Sequence, residues 1–353
     1  RRTRGDGAEP LAALVNVSGT LYGTTFIGGY KHHLDFHGRG TVFAVTPSGE
    51  ETVLHRFTGP EDGHNPLAGL LNVDGIMYGT TEGGGKKRGT VFSITPSGKE
   101  TVLHSFNGRD GWGPQAGLIN VNGTLYGTTE AGGSSNCNGY GCGTVFKITP
   151  AGKEKVLHSF GYDGDGVGPS APLVSVNGTL YGTTQFGGAG DYGTVFAITP
   201  SGKETVLHRF TGGASDGAEP WAGLVDANGI LCGTTFAGGA YGSGTVFSIT
   251  PTGSETLLHS FGAAGDGAQP EAGLLNVDGT LYGTTYAGGA KEYGTVFSIT
   301  PSGTESVLYS FAAKYEDGTR PAAGLIIVKG TLYGTTVFGG ANNDGTIYSL
   351  TGI

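Results

Sequence analysis

Histidine is concentrated in one short stretch of this chain. His32, His33 and His37 lie between Tyr30 and Arg39, in a glycine-containing segment of 14 residues that ends at Arg39. Neutral imidazole is a common ligand of zinc and copper, and it transfers protons near neutral pH. A Tyr, His and Arg set also suits β-elimination on a uronic-acid polysaccharide, since Arg neutralises the carboxylate and His or Tyr removes the adjacent proton. A metal site, a catalytic site and a solvated loop remain open, because no spacing such as His-Glu-x-x-His is present.

One further histidine, His64, falls outside any recurring position. The other five share one equivalent position of an internal repeat, and we expect them to be half-buried structural residues: His55, His104, His158, His208 and His259. If the first cluster binds a divalent metal such as zinc, copper or calcium, its candidate ligands are His32, His33, His37 and His64.

Two carboxylates and several aromatic and basic side chains follow in the next 80 residues. Glu82 and Glu130 each come directly after a Thr-Thr pair, and carboxylates on adjacent units can act as acid and base in glycoside hydrolysis. Trp112 is suited to stacking on a sugar ring, and equally to packing in the interior. The candidate ligand-binding residues are His64, Glu82, Arg109, Trp112, Glu130 and Tyr140.

Three cysteines are present. Cys137 and Cys142 are close enough in sequence to close a small disulfide, which fits export, whereas Cys232 replaces a repeat tyrosine and is expected to be buried and free.

These residues are carried by a chain that repeats itself seven times. Gly-Thr-Thr begins at Gly23, Gly79, Gly127, Gly182, Gly233, Gly283 and Gly334. Gly-Thr-Val-Phe, or Gly-Thr-Ile-Tyr in the last copy, and Asp-Gly-x-x-Pro also occur seven times each. The spacing is about 50 residues and no linker interrupts it, so residues 1–353 are interpreted as one domain.

One repeat reads as four short strands. In the third copy we expect strand A at 116–121, strand B at 124–129, strand C at 144–149 and strand D at 154–160, each rich in β-branched or aromatic residues. A four-stranded sheet that is apolar on both faces cannot be stable alone. The expected fold is therefore all-β, a seven-bladed β-propeller of four-stranded antiparallel blades.

The residue pattern of the repeat resembles that of a known family. Leu-Tyr-Gly-Thr-Thr, then Gly-Gly, then Gly-Thr-Val-Phe-x-Ile-Thr-Pro-x-Gly, then Val-Leu-x-Ser-Phe is similar to the Gloeo_Verruco, or GloVer, tandem-repeat pattern. The resemblance covers essentially the whole chain. It implies a propeller that is secreted or attached to the cell surface, and it gives no catalytic residues to carry over.

In a propeller of this kind the B–C and D–A loops share one face of the ring, which we call the loop face. Nearly all the sequence variation falls there, and function usually lies in variable loops on a constant scaffold. The aspartates of Asp-Gly-x-x-Pro would form a ring suited to calcium, but turn chemistry explains the same motif, because Asp bonds nearby backbone and Gly takes positive φ. We favour the turn.

Strand D occurs only six times, so the outer strand of the last blade is missing from residues 1–353. We expect it to come from a segment upstream of Arg1. The alternative is an edge at Thr346–Leu350 that accepts a strand from another subunit.

Composition narrows the function. The net charge of −9 argues against nucleic-acid binding, and no run of 18 apolar residues could span a membrane. We expect a secreted or cell-surface propeller that binds a carbohydrate or other extracellular ligand on its loop face. The alternatives are a polysaccharide lyase or glycoside hydrolase with a His-rich site over blades 1 and 2, and a structural subunit that assembles by strand donation.

Overall fold

The protein folds as a seven-bladed β-propeller, which confirms the predicted architecture. The computed structural model describes residues 7–29, 38–134, 137, 139–161, 164–312, 317–341 and 343–352. Within these ranges all regular elements are strands, and none of the chain there forms a helix able to cross a membrane. Among the described residues, six of the blade sheets have four antiparallel strands in the order A-B-C-D from the centre outwards, and the sheet of the last blade has three, A-B-C. Strands A of adjacent blades contact one another between blades 1 and 2, 2 and 3, 4 and 5, and 5 and 6, so these strands lie next to the axis.

Each strand type recurs at an equivalent place. Strand A is Val15–Val17, Leu71–Val73, Ile119–Val121, Val174–Val176, Val225–Ala227, Leu275–Val277 and Ile326–Val328. Strand B is Thr20–Thr25, Ile76–Thr81, Thr124–Thr129, Thr179–Thr184, Ile230–Thr235, Thr280–Thr285 and Thr331–Thr336. Strand C is Thr41–Val45, Thr90–Ile94, Thr144–Ile148, Thr194–Ile198, Thr245–Ile249, Thr295–Ile299 and Thr346–Leu350. Strand D is Glu51–Arg56, Glu100–Ser105, Glu154–Ser159, Glu204–Arg209, Glu255–Ser260 and Glu305–Ser310.

Strand A is shorter than the sequence predicted. In the third blade only Ile119–Val121 pairs with strand B, although the apolar pattern begins at Ala116. The reason is that the carbonyl of Ala116 accepts a hydrogen bond from the hydroxyl of Thr80, which belongs to the preceding blade, at 3.1 Å. This part of the chain is therefore bonded to the neighbouring blade instead of to its own sheet.

The Gly-Thr-Thr motif has a separate role for each of its residues. A Cβ on Gly127 would lie 2.7 Å from Cζ of Phe146, so only glycine leaves room for this ring. The hydroxyl of Thr128 donates to the carbonyl of Ala171 in the next blade at 3.1 Å. The hydroxyl of Thr129 lies 2.8 Å from that of Thr144 and ties strand B to strand C. The glycine of the motif therefore allows ring packing, the first threonine bonds the next blade, and the second threonine joins strand B to strand C.

The hydroxyl bond between blades closes the whole ring. Its donors are all buried: Thr24, Thr80, Thr128, Thr183, Thr234, Thr284 and Thr335. The last of them, Thr335, donates at 2.9 Å to the carbonyl of Pro10, so blade 7 is joined to blade 1 without a covalent link.

The core lies in the seams between blades. The phenylalanine after each strand D packs edge to face against the aromatic ring of the next strand C, as Phe106 does on Phe146 at 5.1 Å. Both rings are 0% exposed. Burying a phenylalanine side chain is worth roughly 1.5–3 kcal/mol, so each blade is stabilised mainly by its neighbours.

We predict that Gly127→Ala destabilises the fold by about 1–3 kcal/mol, because the added methyl group overpacks the Phe146 ring. Gly117→Ala is the matched control, since the nearest atom to a Cβ there, the carbonyl oxygen of Gly69, is 3.6 Å away. Equilibrium unfolding in denaturant measures both. Equal losses for the two variants would contradict this account of the motif.

Candidate functional site

The loop face is built from D–A loops that pair with B–C loops. The residue after Asp-Gly forms part of a short antiparallel contact in all seven blades, and it is small or aliphatic in five of them. Blades 2 and 3 differ, because His64 and Trp112 occupy this position. The backbone of His64 pairs with Gly83, and that of Trp112 pairs with Ala131. The constant scaffold thus presents an imidazole and an indole side by side.

A cavity of about 800 Å³ opens between these blades. Its polar and aromatic lining is Arg39, His64, Asn65, Glu82, Lys87 and Trp112. A volume in this range suits a small ligand or a segment of a larger one.

Trp112 separates this cavity from a second one. The guanidinium carbon of Arg88 lies 3.7 Å from the centroid of the indole, and the ring of Tyr140 is 5.5 Å away. The three side chains line an adjoining cavity of about 190 Å³. Tyr140 is 63% exposed, which is consistent with a side chain that is available to a ligand.

A disulfide shapes the loop that carries Tyr140. Cys137 and Cys142 are bonded, with their Cα atoms 5.2 Å apart. The amide of Tyr140 donates to the carbonyl of Cys137 at 3.0 Å, and its carbonyl accepts from Gly132 at 2.8 Å. The cross-link therefore restricts the backbone on either side of this tyrosine. Cys232 is buried and free, as its repeat position predicted.

The two candidate carboxylates meet through one amide. Gln115 donates to Glu130 at 2.7 Å and also bonds Glu82. Burial raises the pKa of both carboxyl groups; nearby His64 and Gln115 partly offset this for Glu82, whereas the charge of Glu82 adds to it for Glu130. A half-buried carboxyl with a raised pKa keeps its proton to a higher pH than an exposed one, which is the direction that a general acid requires.

The tautomer of His64 follows from its neighbour. The amide nitrogen of Asn65 donates to the carbonyl of Phe26 at 2.9 Å, so the amide oxygen faces Nδ1 of His64 at 2.6 Å. That oxygen can only accept, and Nδ1 therefore carries the proton. In the neutral ring Nε2 is then the acceptor, the state that both metal binding and proton abstraction require.

The remaining predicted site residues are less closely grouped. Arg39 lines the large cavity and donates through Nη1 to the carbonyl of Thr58. Arg109 is exposed in a turn and lines neither cavity. Tyr30, His32, His33 and His37 lie outside the described residues, so the proposed metal and catalytic roles of this cluster stay predictions.

Sequence reasoning missed a third arrangement, at the rim of the ring. The repeat histidines are half-buried as expected, but each pairs through Nε2 with the aspartate of the following Asp-Gly at 2.9–3.3 Å: His55–Asp62, His104–Asp110, His158–Asp165, His208–Asp216 and His259–Asp266. In the sixth copy Tyr309 replaces histidine and donates to Asp317.

The aspartates also form the turns that the sequence predicted. Asp62 accepts from the amides of Thr58 and Gly59. Burial opposes its ionisation, but hydrogen bonds from His55, Gly59 and Thr58 outweigh burial and lower its pKa to about 2. Its oxygens are thus already engaged, which favours the turn over a calcium ring.

The first glutamate of the next strand D completes four of these five rim clusters. In four seams the His, Asp and Glu ligand atoms lie within 4.8 Å of one another, a set that could hold a metal ion: His104–Asp110–Glu154, His158–Asp165–Glu204, His208–Asp216–Glu255 and His259–Asp266–Glu305. One oxygen of each of these glutamates is buried without a hydrogen-bond partner. Burial, with Asp110 nearby, raises the pKa of Glu154 to about 7, so a proton is the simplest counter-charge there.

Comparison with known proteins agrees with the fold. The sequence model of the Gloeobacter/Verrucomicrobia repeat matches residues 2–140 and 184–352. No curated protein matches the chain. A solved structure from Bacteroides uniformis ATCC 8492, a candidate 6-phosphogluconolactonase, is 14% identical, with a TM-score of 0.57 over 90% of this chain and 89% of that one. Puromycin hydrolase is 12% identical, with a TM-score of 0.59 over 98% of this chain and 52% of that one. At such identities the likeness extends to the fold alone.

We predict that Glu154→Gln makes the protein more stable than wild type at alkaline pH. A carboxyl whose pKa is raised by folding stabilises the fold when it is protonated. Its contribution is complete below the unfolded pKa of about 4.3 and is lost as the pH rises through about 7. The melting temperatures of the two proteins should therefore be similar near pH 4 and diverge towards pH 8. Glu50→Gln, at an exposed turn, is the control; a constant difference across the pH range would contradict the assignment.

Proposed function

We propose that the chain, which belongs to the Gloeobacter/Verrucomicrobia repeat family, is a secreted or cell-surface propeller that binds a carbohydrate on the loop face of blades 1 to 3. The observation that carries the proposal is the position of Trp112. It forms a shared wall of two adjoining cavities and is flanked by Arg88 and Tyr140. An indole of this kind offers a flat apolar face to a sugar ring, while the neighbouring polar groups can bond its hydroxyls.

The charges around the cavities favour an acidic sugar. Arg39 and Lys87 line the large cavity and Arg88 lines the small one. Glu82 lines the same cavity, and partial burial raises the pKa of its carboxyl group, so it ionises at a higher pH than an exposed glutamate. A uronic-acid residue would place its carboxylate among these cations, and guanidinium groups bind carboxylates in a two-pronged geometry.

We expect Trp112→Ala to lower the affinity for a bound glycan about tenfold or more, because loss of a stacked aromatic costs on the order of 1.4 kcal/mol. The measurement is a glycan array that contains neutral and uronic-acid oligosaccharides, followed by calorimetry on the ligands that bind. Trp221→Ala is the matched control, since this tryptophan is also half-buried but stacks on Phe236 at 4.1 Å on the far side of the ring.

Two results would count against carbohydrate binding at this site. One is an array on which the wild-type protein binds no glycan. The other is a glycan whose affinity falls equally in Trp112→Ala and Trp221→Ala, since this would indicate a general loss of structure.

A second candidate function, glycoside hydrolysis, rests on the Glu82–Gln115–Glu130 arrangement. Both carboxyls contact one amide, and burial raises the pKa of each. One of them can donate a proton to a leaving group while the other acts as nucleophile or base. Glu82 also lines the large cavity, so a substrate bound there would be within reach.

If the pair is catalytic, Glu82→Gln and Glu130→Gln should each lower the release of reducing ends from a bound polysaccharide at least a hundredfold. The rate should also fall as alkaline pH removes the proton from the acid. Glu271→Gln is the control, because this loop-face glutamate is also partly buried but lies near Arg320. Unsaturated products that disappear in His64→Ala would indicate the lyase instead, and binding without any product would leave only the binding role.

A further inference from the structure

The seam between blades 7 and 1 differs from the other six because blade 7 has no outer strand D among the described residues. Among the described residues, strand C of the seventh blade, Thr346–Leu350, pairs only with strand B, Thr331–Thr336. In every other blade strand C also pairs with a strand D on its outer side. The outer edge of Thr346–Leu350 therefore presents backbone groups in the arrangement that accepts another strand.

The exposure of the side chains changes in the same place. Ile347 is 38% exposed, whereas each of the six valines at its repeat position is 0% exposed: Val42, Val91, Val145, Val195, Val246 and Val296. On the adjoining strand D of blade 6, the exposed fractions are 37% for Val307, 39% for Leu308 and 37% for Tyr309. Their counterparts in the other strands D are less exposed. Apolar side chains on both sides of this position thus lie uncovered.

A groove of about 440 Å³ occupies the position. It is lined from blade 1 by Phe43 and Val45 and from blade 7 by Tyr333, Ile347 and Tyr348. Apolar side chains thus lie on both walls, and the floor is the seam that Thr335 and Pro10 close.

The other six seams show what fits such a groove. In each of them a strand D with the pattern Glu-x-Val/Leu-Leu-His/Tyr pairs antiparallel with strand C in one register. In the second blade His104 lies opposite Val91 and Val102 lies opposite Phe92, with a bulge between them. The amide of the phenylalanine that follows, Phe106, donates to the carbonyl of Gly89 at 3.0 Å.

We propose that this groove is an acceptor for one further copy of the strand-D motif, Glu-x-Val-Leu-His-Ser-Phe, supplied by a polypeptide segment outside residues 1–353. The register of the other blades puts the histidine of the motif opposite Ile347, its valine opposite Tyr348 and its glutamate opposite Leu350. Its phenylalanine donates to the carbonyl of Gly345 and packs on Phe43, as Phe57 packs on Phe92 at 5.3 Å.

A glutamate on the wall of the groove favours the same motif. Glu51 lies on the wall of the groove, at the repeat position that Glu154 holds in its own seam. There the glutamate approaches a histidine of the preceding strand D. An incoming strand with histidine at this position would bring its imidazole to Glu51, whereas a wholly apolar strand would not.

A synthetic peptide tests the proposal directly. The peptide Gly98–Phe106, GKETVLHSF, carries the motif and can be labelled at its N-terminus. We expect saturable binding by fluorescence anisotropy, a higher melting temperature of the protein, and slower amide exchange at residues 346–350. The same peptide with Val102→Pro should bind at least tenfold more weakly, because proline cannot continue the ladder.

The protein side has its own matched variants. Ile347→Glu should weaken peptide binding at least tenfold, and Ile230→Glu, which alters an isoleucine that is 39% exposed in blade 5, should leave it unchanged. Absence of saturable binding, or binding that is insensitive to Ile347→Glu, overturns the proposal. Self-association that Ile347→Glu abolishes, without peptide binding, would assign the groove to a second copy of the chain and also overturn it.

Discussion

The hydroxyl of the first threonine in each Gly-Thr-Thr motif holds this molecule together as a ring. It crosses the seam to a backbone carbonyl of the next blade, and it does so seven times, from Thr24 to Thr335. A buried carbonyl near the axis that lost this partner would cost about 1–3 kcal/mol. Because the donor belongs to one blade and the acceptor to the next, this carbonyl has its hydrogen-bond donor only in a neighbouring blade. The repeat therefore folds as a closed circle.

This constraint explains where the variation lies. The residues that face the seams change little from blade to blade, since each meets a neighbour of similar shape: Thr128 recurs in all seven blades, and Phe146 is replaced only by Tyr348 in the last. The loop face is free of that requirement. His64 and Trp112 occupy one repeat position that takes a small or aliphatic residue elsewhere. The exchange leaves the backbone pairing intact and adds side chains to a cavity, which is how a constant scaffold acquires a specific site.

The sequence was sufficient for the fold and for strands B and C, because the motifs mark their ends and their apolar pattern is unambiguous. It placed strand A three residues too early, since Ala116 is apolar but bonds to another blade. The grouping of His64, Glu82 and Trp112 followed from blade order. Blade order did not predict the contacts of Gln115 with two glutamates or the rim clusters of His, Asp and Glu. The members of these groups come from different blades or have separate repeat positions. A pattern within one repeat shows which residues recur and does not show which of them meet across a seam.

The rim clusters make the charge of the protein near neutral pH differ from its formal net charge. The value of −9 counts every carboxylate as ionised. In the seam between blades 1 and 2 Asp62 holds its charge, as its pKa of about 2 indicates, whereas the pKa of Glu154 is about 7. Glu100, Glu204 and Glu305 share that value, raised chiefly by burial. Near neutral pH these glutamates are therefore partly protonated, and the ring is less negative than its composition indicates. Because the seam is repeated, equivalent glutamates in several blades gain or lose their protons over the same pH range. An acidic sugar would therefore meet less repulsion from this protein in mildly acidic than in alkaline solution.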